Sequence, residues 1–161
     1  MKFTYFDASA AVKLVTDESR SDVVRNYFNG PMPKSGYITG LCFAEALGVV
    51  KRKFWKSDEE RYHRTSFDLL SLLNERRLRI EESIDLSDYE TFFKAQKLAR
   101  DHGIDLSDAL QLLTIKHGPH SPFVAESKTL FITADKDLAN AAQKENVRVW
   151  NCMLTDQPPD R

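Results

Sequence analysis

The chain has 161 residues, of which 42% are hydrophobic and 29% charged, and its formal net charge is −1. This composition is typical of one soluble globular domain and excludes a largely disordered or membrane-spanning chain. A net charge near zero predicts no general attraction to nucleic acid or membrane, so binding a polyanion would require a local basic patch.

The first predicted strand, residues 2–6, is a run of β-prone residues that ends at Asp7. A short apolar helix over 8–15 follows, and apolar residues at helical spacing predict a second helix over 21–28, which Gly30-Pro31-Met32-Pro33 should end. Asp7 has two interpretations. It caps the helix that follows, or it belongs to a site at the carboxyl end of the strand, where open α/β sheets place their chemistry.

Glu45 lies in the next predicted helix, 41–55, which follows a strand over 37–39. Its position on a helical wheel is opposite the apolar face, so it is either solvated beside Arg52 or directed into a polar site. The apolar face consists of Phe43, Leu47, Val50 and Phe54.

The middle of the chain predicts two long helices around a short strand. An amphipathic pattern covers 58–77, a strand is predicted at 78–80, and a second helix covers 86–102. Ser87 is the expected N-cap of this second helix, and Gly103 is the expected stop signal.

Two aspartates precede and open the next helix, which begins near residue 105. Asp105 is expected to be the N-cap and Asp108 an acid of the first turn, where both favour the positive end of the helix dipole. Helix capping fully explains one of these two carboxylates. A second carboxylate in the first turn is favourable for the helix, but the helix does not require it.

The last third of the chain predicts a loop over 118–128 and a buried strand over 129–132. The turn Thr133-Ala134-Asp135 then opens a helix that runs to about residue 145, and 147–150 forms a final strand. As at Asp7, an aspartate therefore follows a strand where a helix begins.

Strands that alternate with helices predict an α/β fold of three layers, α/β/α, around a mostly parallel sheet of four to five strands. Residues 1–152 are expected to form one domain, and 153–161 a flexible C-terminal tail. Because parallel strands share one carboxyl edge, Asp7 and Asp135 should face a common crevice, onto which the helices of Glu45 and Asp108 can open.

The two cysteines, Cys42 and Cys152, form no C-x-x-C pair and no cluster with histidine, which predicts buried, reduced thiols. The amino terminus lacks the long apolar run of a secretion signal, and no stretch approaches the length of a membrane span. The expected location is the cytoplasm, with no membrane association.

Four carboxylates in one crevice would repel each other and raise each other's pKa. A cation relieves this repulsion, and ligands that are all oxygen favour Mg²⁺ or Mn²⁺. Such a site is typical of metal-dependent phosphodiester cleavage, in which the metal activates water.

The order and spacing of these acids resemble the PIN domain family. The resemblance rests on Asp7 followed by Ala8-Ser9-Ala10, the Glu45 helix, Asp108-Ala109-Leu110 and the Thr133-Ala134-Asp135 turn, and it covers nearly the whole chain. It is closest to the VapC-type toxins of toxin–antitoxin systems. It implies a Mg²⁺-dependent ribonuclease whose groove is occupied by a small antitoxin protein and which is usually a homodimer.

The resemblance also implies roles for individual residues. Thr133 would hydrogen-bond behind the ligands, Asp137 could assist or replace Asp135, and Ser9 is an auxiliary position. The implied catalytic and metal-binding residues are Asp7, Glu45, Asp108 and Asp135. One departure from the expected pattern is the length of the 118–128 loop, which could border the groove.

One local basic patch ends the Glu45 helix. Lysine and arginine contact phosphates without reading sequence, and an exposed tryptophan can stack on an unpaired base. A cationic helix end that only complements the helix dipole explains the patch equally well. The candidate RNA-binding residues are Lys51, Arg52, Lys53 and Trp55.

Three alternatives to a toxin ribonuclease remain. The chain could be an RNA-processing nuclease with no toxin role, or a non-catalytic module that binds RNA or protein. A phosphatase of the haloacid dehalogenase class is a weaker alternative, because that chemistry needs a second aspartate two residues after Asp7, where this chain has Ser9.

Overall fold

The computed structural model describes residues 3–30, 36–125 and 128–159, so the predicted turn at Pro31–Pro33 lies outside the described residues. Within these ranges no helix has the length and apolar character needed to cross a membrane. The elements in chain order are β1 (Phe3–Phe6), α1 (Ala8–Val15), α2 (Ser21–Phe28), β2 (Gly36–Thr39), α3 (Gly40–Phe54), α4 (Glu59–Asn74), β3 (Leu78–Glu81), α5 (Tyr89–His102), α6 (Leu106–His117), α7 (Pro122–Ala125), β4 (Thr129–Thr133), α8 (Lys136–Lys144) and β5 (Val149–Asn151).

The five described strands form one sheet in the order β3-β2-β1-β4-β5, and every pairing is parallel. This confirms the predicted α/β class and parallel sheet. The chain moves from β1 toward β3 in one direction and from β4 to β5 in the other, so the topological switch point lies between β1 and β4. Crevices at switch points are where sheets of this kind bind ligands.

The two faces of the sheet bury different sets of helices. Side chains alternate along β1 and β4, so that Phe6 and Ile132 pack with residues of α1 to α4, while Tyr5 and Phe131 pack with α6 and α8. Helix α5 packs on α6. Complete burial stabilises each of these large side chains by about 1.5–3 kcal/mol, and the three predicted layers are confirmed.

The start of α5 differs from the prediction. The Asp85 carboxylate accepts hydrogen bonds from the backbone N–H (2.8 Å) and the hydroxyl (2.7 Å) of Ser87, so this segment forms a local turn. Asp88 is the N-cap instead, because its side chain accepts from the N–H of Thr91 at 3.2 Å. The predicted stop at Gly103 is confirmed by its positive φ of 65°.

The predicted loop after α6 contains the short helix α7 and packs on the sheet. The Phe123 ring lies 4.9 Å from the Phe3 ring, and the His120 ring stacks on Phe3 at 3.9 Å. Gly118 permits a close approach, because a Cβ there would lie 2.4 Å from the Thr114 carbonyl oxygen and 2.7 Å from Ser83 Oγ. This segment therefore packs closely against Ser83 in the connection between β3 and α5.

The described part of the predicted tail, 153–159, lies against the domain. Trp150 Nε1 donates to the carbonyl oxygen of Thr155 at 3.1 Å, and an Nη of Arg148 donates to the carbonyl oxygen of Pro159 at 2.5 Å. These contacts fix two positions of the segment, and the division at residue 152 stays a prediction.

A buried lysine organises the connection between α1 and α2. Lys13 is 5% exposed, and its ammonium group donates to Glu18 at 2.9 Å and to the carbonyl oxygen of Ser19 at 2.8 Å. Lys53 also pairs with Glu18 and so ties the far end of α3 to this turn. Burial acts to raise the pKa of Glu18, but the hydrogen bonds from Lys53 and Lys13 outweigh it and lower that pKa below its usual 4.5.

Glu18 should therefore make folding sensitive to acid. A lowered folded-state pKa stabilises the protein above the unfolded value, and this contribution is lost as the pH falls through the folded value. We expect Glu18→Gln to lower the free energy of unfolding by about 1 kcal/mol at pH 7 and to flatten its slope below about pH 5. Urea unfolding over this pH range measures both effects. Glu60→Gln, at an exposed pair with Arg64, is the control, and parallel pH profiles for wild type and Glu18→Gln would refute the assignment.

Candidate active site

Asp7 lies where β1 ends and α1 begins, and it is only 4% exposed. One carboxylate oxygen accepts the cap bond from the Ala10 N–H at 2.7 Å, and the other accepts from the Thr133 hydroxyl at 2.6 Å. The hydroxyl of Ser9 lies 2.9 Å and 2.8 Å from the two oxygens. Burial raises the pKa of Asp7 to about 6 against the opposing effect of these three bonds, and the charge of Asp135 adds to the rise.

Two hydroxyl groups join the ends of β1 and β4 across the switch point. Besides contacting Asp7, Thr133 Oγ1 accepts from the N–H of Asp135 at 2.9 Å, and Ser9 Oγ accepts from the N–H of Ala134 at 2.9 Å. Each hydroxyl thus links the carboxylate of Asp7 to the backbone that leads into α8. The position of Asp135 relative to Asp7 is fixed by this network.

The hydroxyl of Thr133 should matter far more than that of a threonine four residues earlier on the same strand. We expect Thr133→Val to lower the free energy of unfolding by about 1–3 kcal/mol, because it removes a hydrogen bond to the buried Asp7 carboxylate and the acceptor of the Asp135 N–H. The matched control is Thr129→Val, since the buried Thr129 hydroxyl has no hydrogen-bond partner among the described residues. Urea unfolding of both variants gives the comparison, and equal stability losses would contradict the role of Thr133.

Asp135 is exposed and is the N-cap of α8. One of its oxygens accepts from the N–H groups of Asp137 at 2.7 Å and Leu138 at 2.9 Å. The side chain of Asp137 is also exposed, and the contact it makes with Asp135 is through its backbone. Asp135 retains a second oxygen for another partner, whereas an assisting role for Asp137 stays a prediction.

Asp108 is half-buried in the first turn of α6. Its pKa is raised to about 7, first by burial and then by the charges of Asp7, Glu45, Asp135 and Asp105. No hydrogen bond to its carboxylate occurs within the described part of the chain, so nothing there offsets the repulsion. Asp105 precedes α6 as predicted but makes no side-chain cap bond.

Glu45 lies one turn inside α3 with its side chain exposed. Its charge contributes to the raised pKa of Asp108, so Asp108 interacts electrostatically with each of the other three predicted acids. Behind it, the Cys42 thiol is buried, and burial followed by the charges of Asp7, Asp108 and Glu45 raises its pKa to about 12. That thiol is protonated and unreactive at neutral pH.

Gln111 is a site residue that the sequence reasoning did not identify. It is completely buried on α6, donates to the carbonyl oxygen of Phe6 at 3.0 Å and accepts from the N–H of Thr39 at 3.2 Å. Thr39 in turn caps α3 by accepting from the N–H of Cys42 at 3.3 Å. One amide therefore locks α6 to the ends of β1 and β2, and a glutamine inside the apolar run 109–115 was the signal that could have revealed it.

The donors around this crevice suit a hard divalent cation, because all four are carboxylates and they repel each other. The type of ligand suits such a cation, but the side chains do not form a complete ligand shell. Among the described residues no three Asp, Glu, His or Cys side chains stand close enough together to hold a metal ion. Asp7 and Asp135 are held by caps and hydroxyls, while Asp108 and the long side chain of Glu45 are the members with freedom to move inward.

A groove of about 870 Å³ runs along the carboxyl ends of β2 and β3. Leu41, Ile80 and Leu86 provide exposed apolar surface in it. Its acidic members are Glu81, Glu82 and Asp85. Thr39, whose N–H donates to Gln111, also lines this groove.

Fold and site together define an α/β protein of the doubly wound type, with Asp7 and Asp135 at the switch point of a five-stranded parallel sheet. The PIN domain family model matches residues 4–144. The chain belongs to the PIN domain family, whose members are generally nucleases.

A solved structure has the same fold. The crystal structure of PAE2754 from Pyrobaculum aerophilum superposes with a TM-score of 0.57, at 16% sequence identity, over 87% of this chain and 86% of that one. No curated protein sequence matches the chain.

Proposed function

We propose that this protein is a Mg²⁺-dependent endoribonuclease and that Asp7, Glu45, Asp108 and Asp135 hold the ion, with Mn²⁺ as a substitute. The observation that carries the proposal is the geometry at the switch point of a PIN fold, where the Thr133 hydroxyl bonds to both Asp7 and the backbone N–H of Asp135. The charges of Asp7, Glu45, Asp135 and Asp105 also contribute to the raised pKa of Asp108. Carboxylates that repel each other lower the stability of the metal-free protein, and a bound cation would relieve that repulsion.

Asp7, Glu45, Asp108 and Asp135 would hold Mg²⁺, and the ion would supply charge neutralisation at the scissile phosphate and activation of a water molecule. The protein contributes orientation. Asp7 is held by Ala10, Ser9 and Thr133, so one carboxylate has a fixed direction before any ligand arrives. Asp108 makes no such bonds among the described residues, so it is free to accept a proton from water or to move toward a cation.

The experiment is cleavage of single-stranded RNA by the purified protein with Mg²⁺, with Mn²⁺ and with EDTA. Attack by water that expels the 3′-oxygen leaves a 5′-phosphate and a 3′-hydroxyl, whereas attack by the neighbouring 2′-hydroxyl expels the 5′-oxygen and leaves a 2′,3′-cyclic phosphate. The proposal predicts cleavage in both metals, none in EDTA, and 5′-phosphate products. Cleavage in EDTA with cyclic products would contradict it. Saturable metal binding without cleavage would favour the non-catalytic alternative.

The resemblance to VapC-type toxins extends this proposal to a toxin with a small antitoxin partner. The groove beside the acids supports it, because its apolar residues Leu41, Ile80 and Leu86 and its acidic rim suit a partner segment with apolar and basic side chains. Co-expression with the product of an adjacent small reading frame and a pull-down tests this. A homodimer and a cytoplasmic location belong to the same proposal, and light scattering tests the dimer.

A further inference from the structure

One row of exposed residues on α3 connects the acidic crevice to the far end of the helix. Leu41, Glu45, Gly48, Arg52 and Trp55 follow each other at steps of four and three residues, so they lie along one face. All but the half-buried Gly48 are exposed, and Arg52 Nη1 lies 3.5 Å from where a Gly48 Cβ would be. We call this row the α3 stripe. The missing side chain at Gly48 leaves room for the Arg52 guanidinium beside it.

The far end of the α3 stripe is positively charged. Lys51, Arg52 and Lys56 are exposed, and none pairs with a carboxylate among the described residues. Lys53 is different, since it pairs with Glu18. Three cations without anionic partners lie within two turns of one another, which is the local basic patch that a chain of net charge −1 needs to bind a polyanion.

Among the described residues, the acids at the start of α4 form no ion pair with this patch. Glu60 pairs with Arg64 at 2.6 Å, and Glu59 lies 3.6 Å from His63. Asp58 caps α4 through the N–H of Arg61. Each of these carboxylates is therefore engaged by α4 itself.

Trp55 supplies an aromatic surface beside the cations. It is 44% exposed, and its ring packs edge-to-face on Tyr62 at 5.1 Å and lies 6.3 Å from the ring of His63. These neighbours restrain the indole while much of the residue stays open to solvent. A restrained, exposed indole next to lysine and arginine is the combination that stacks an unpaired base.

We infer that the α3 stripe binds a single-stranded stretch of the RNA substrate, with its phosphates at Arg52 and one base stacked on Trp55. Ten residues of helix separate Trp55 from Glu45, a distance of about 15 Å. At about 3.4 Å per stacked nucleotide, this is four to five nucleotides from the acids. A protein partner fits less well, because among the described residues Trp55 is the one exposed large apolar residue at this basic end. The inference rests on the proposed ribonuclease function.

The test is the affinity of the EDTA-treated protein for a labelled 12-nucleotide single-stranded RNA, measured by fluorescence anisotropy at several salt concentrations. We expect Trp55→Ala and Arg52→Gln each to weaken binding at least about fivefold. Arg52→Gln should also reduce the salt dependence of log K by about 0.7 per decade, whereas Trp55→Ala should leave it unchanged. RNA should quench the fluorescence of exposed Trp55, while Trp150, which is 1% exposed, provides the constant background.

Matched controls are Phe93→Ala and Arg100→Gln, an exposed aromatic residue and an exposed arginine on α5, for which we expect unchanged affinity. Failure to bind RNA, or equal RNA affinity of the wild type and all variants, would overturn the inference. If the affinities are equal but Trp55→Ala or Arg52→Gln changes the molecular mass measured by light scattering, the α3 stripe contacts a second copy of this chain instead of RNA. If the wild type cleaves RNA and the variants bind RNA normally, the proposed nuclease function is supported and the RNA-binding role of the α3 stripe is refuted. If the variants lose RNA affinity but the wild type does not cleave RNA, the RNA-binding role of the α3 stripe is supported and the proposed nuclease function is refuted.

Discussion

Replacing Asp108 with asparagine is expected to reduce metal-dependent RNA cleavage by at least about 100-fold while the protein stays folded. Asp108 is a better residue to test than Asp7 or Asp135, since those two side chains also cap α1 and α8. The carboxylate of Asp108 makes no hydrogen bond within the described structure, so asparagine changes its charge and little else. Initial cleavage rates with saturating Mg²⁺ measure the effect.

The same substitution should stabilise the metal-free protein. A carboxylate with a folded-state pKa raised above its usual 3.8 to about 7 destabilises the fold at neutral pH, and this penalty vanishes as the pH falls and the group is protonated. We expect Asp108→Asn to gain about 1 kcal/mol after solvent screening is considered, or about 2–4 °C in Tm, in EDTA. Asp105→Asn is the control and should retain cleavage. Loss of cleavage through unfolding, or full cleavage by Asp108→Asn, would contradict the account.

Replacing Gln111 with alanine is expected to lower the free energy of unfolding by about 3–5 kcal/mol. The buried amide satisfies the carbonyl oxygen of Phe6 and the N–H of Thr39, so its removal leaves two backbone groups without partners and opens a cavity. Those groups end β1 and begin the cap of α3, so cleavage should fall as well. Urea unfolding measures the stability.

Gln143→Ala is the matched control for this substitution, because Gln143 is exposed on α8 and has helical neighbours on both sides. We expect it to change stability by less than about 0.5 kcal/mol. A loss below about 1 kcal/mol for Gln111→Ala would show that water or a neighbouring group replaces the amide.

The sheet and the placement of Asp7 were predictable from local pattern. Buried strands such as Thr129–Thr133 are short runs of β-prone residues, and an aspartate just after a strand belongs at the carboxyl edge whatever the details of packing. The two interpretations of Asp7 turned out to be compatible, since one carboxylate oxygen caps α1 and the other contacts Thr133.

Long-range contacts were not predictable in this way. Gln111 forms hydrogen bonds with Phe6 and Thr39, which precede it in the sequence by 105 and 72 positions. Only the folded chain shows which backbone groups lie opposite its side chain. Lys53 was predicted in the basic patch by its neighbours in sequence, whereas the structure pairs it with Glu18, 35 residues earlier. The start of α5 was misplaced because Asp85 and Ser87 form a turn that competes with helix capping.

The most direct measurement is anomalous X-ray diffraction from crystals soaked in Mn²⁺. The account predicts one or more Mn²⁺ peaks in the crevice, with oxygens of Asp7 and Asp108 at about 2 Å and with Glu45 or Asp135 completing the protein ligands. Crystals of Asp108→Asn, soaked in the same way, should lose the peak. A wild-type crystal that binds Mn²⁺ elsewhere and leaves the four carboxylates without metal would contradict the account.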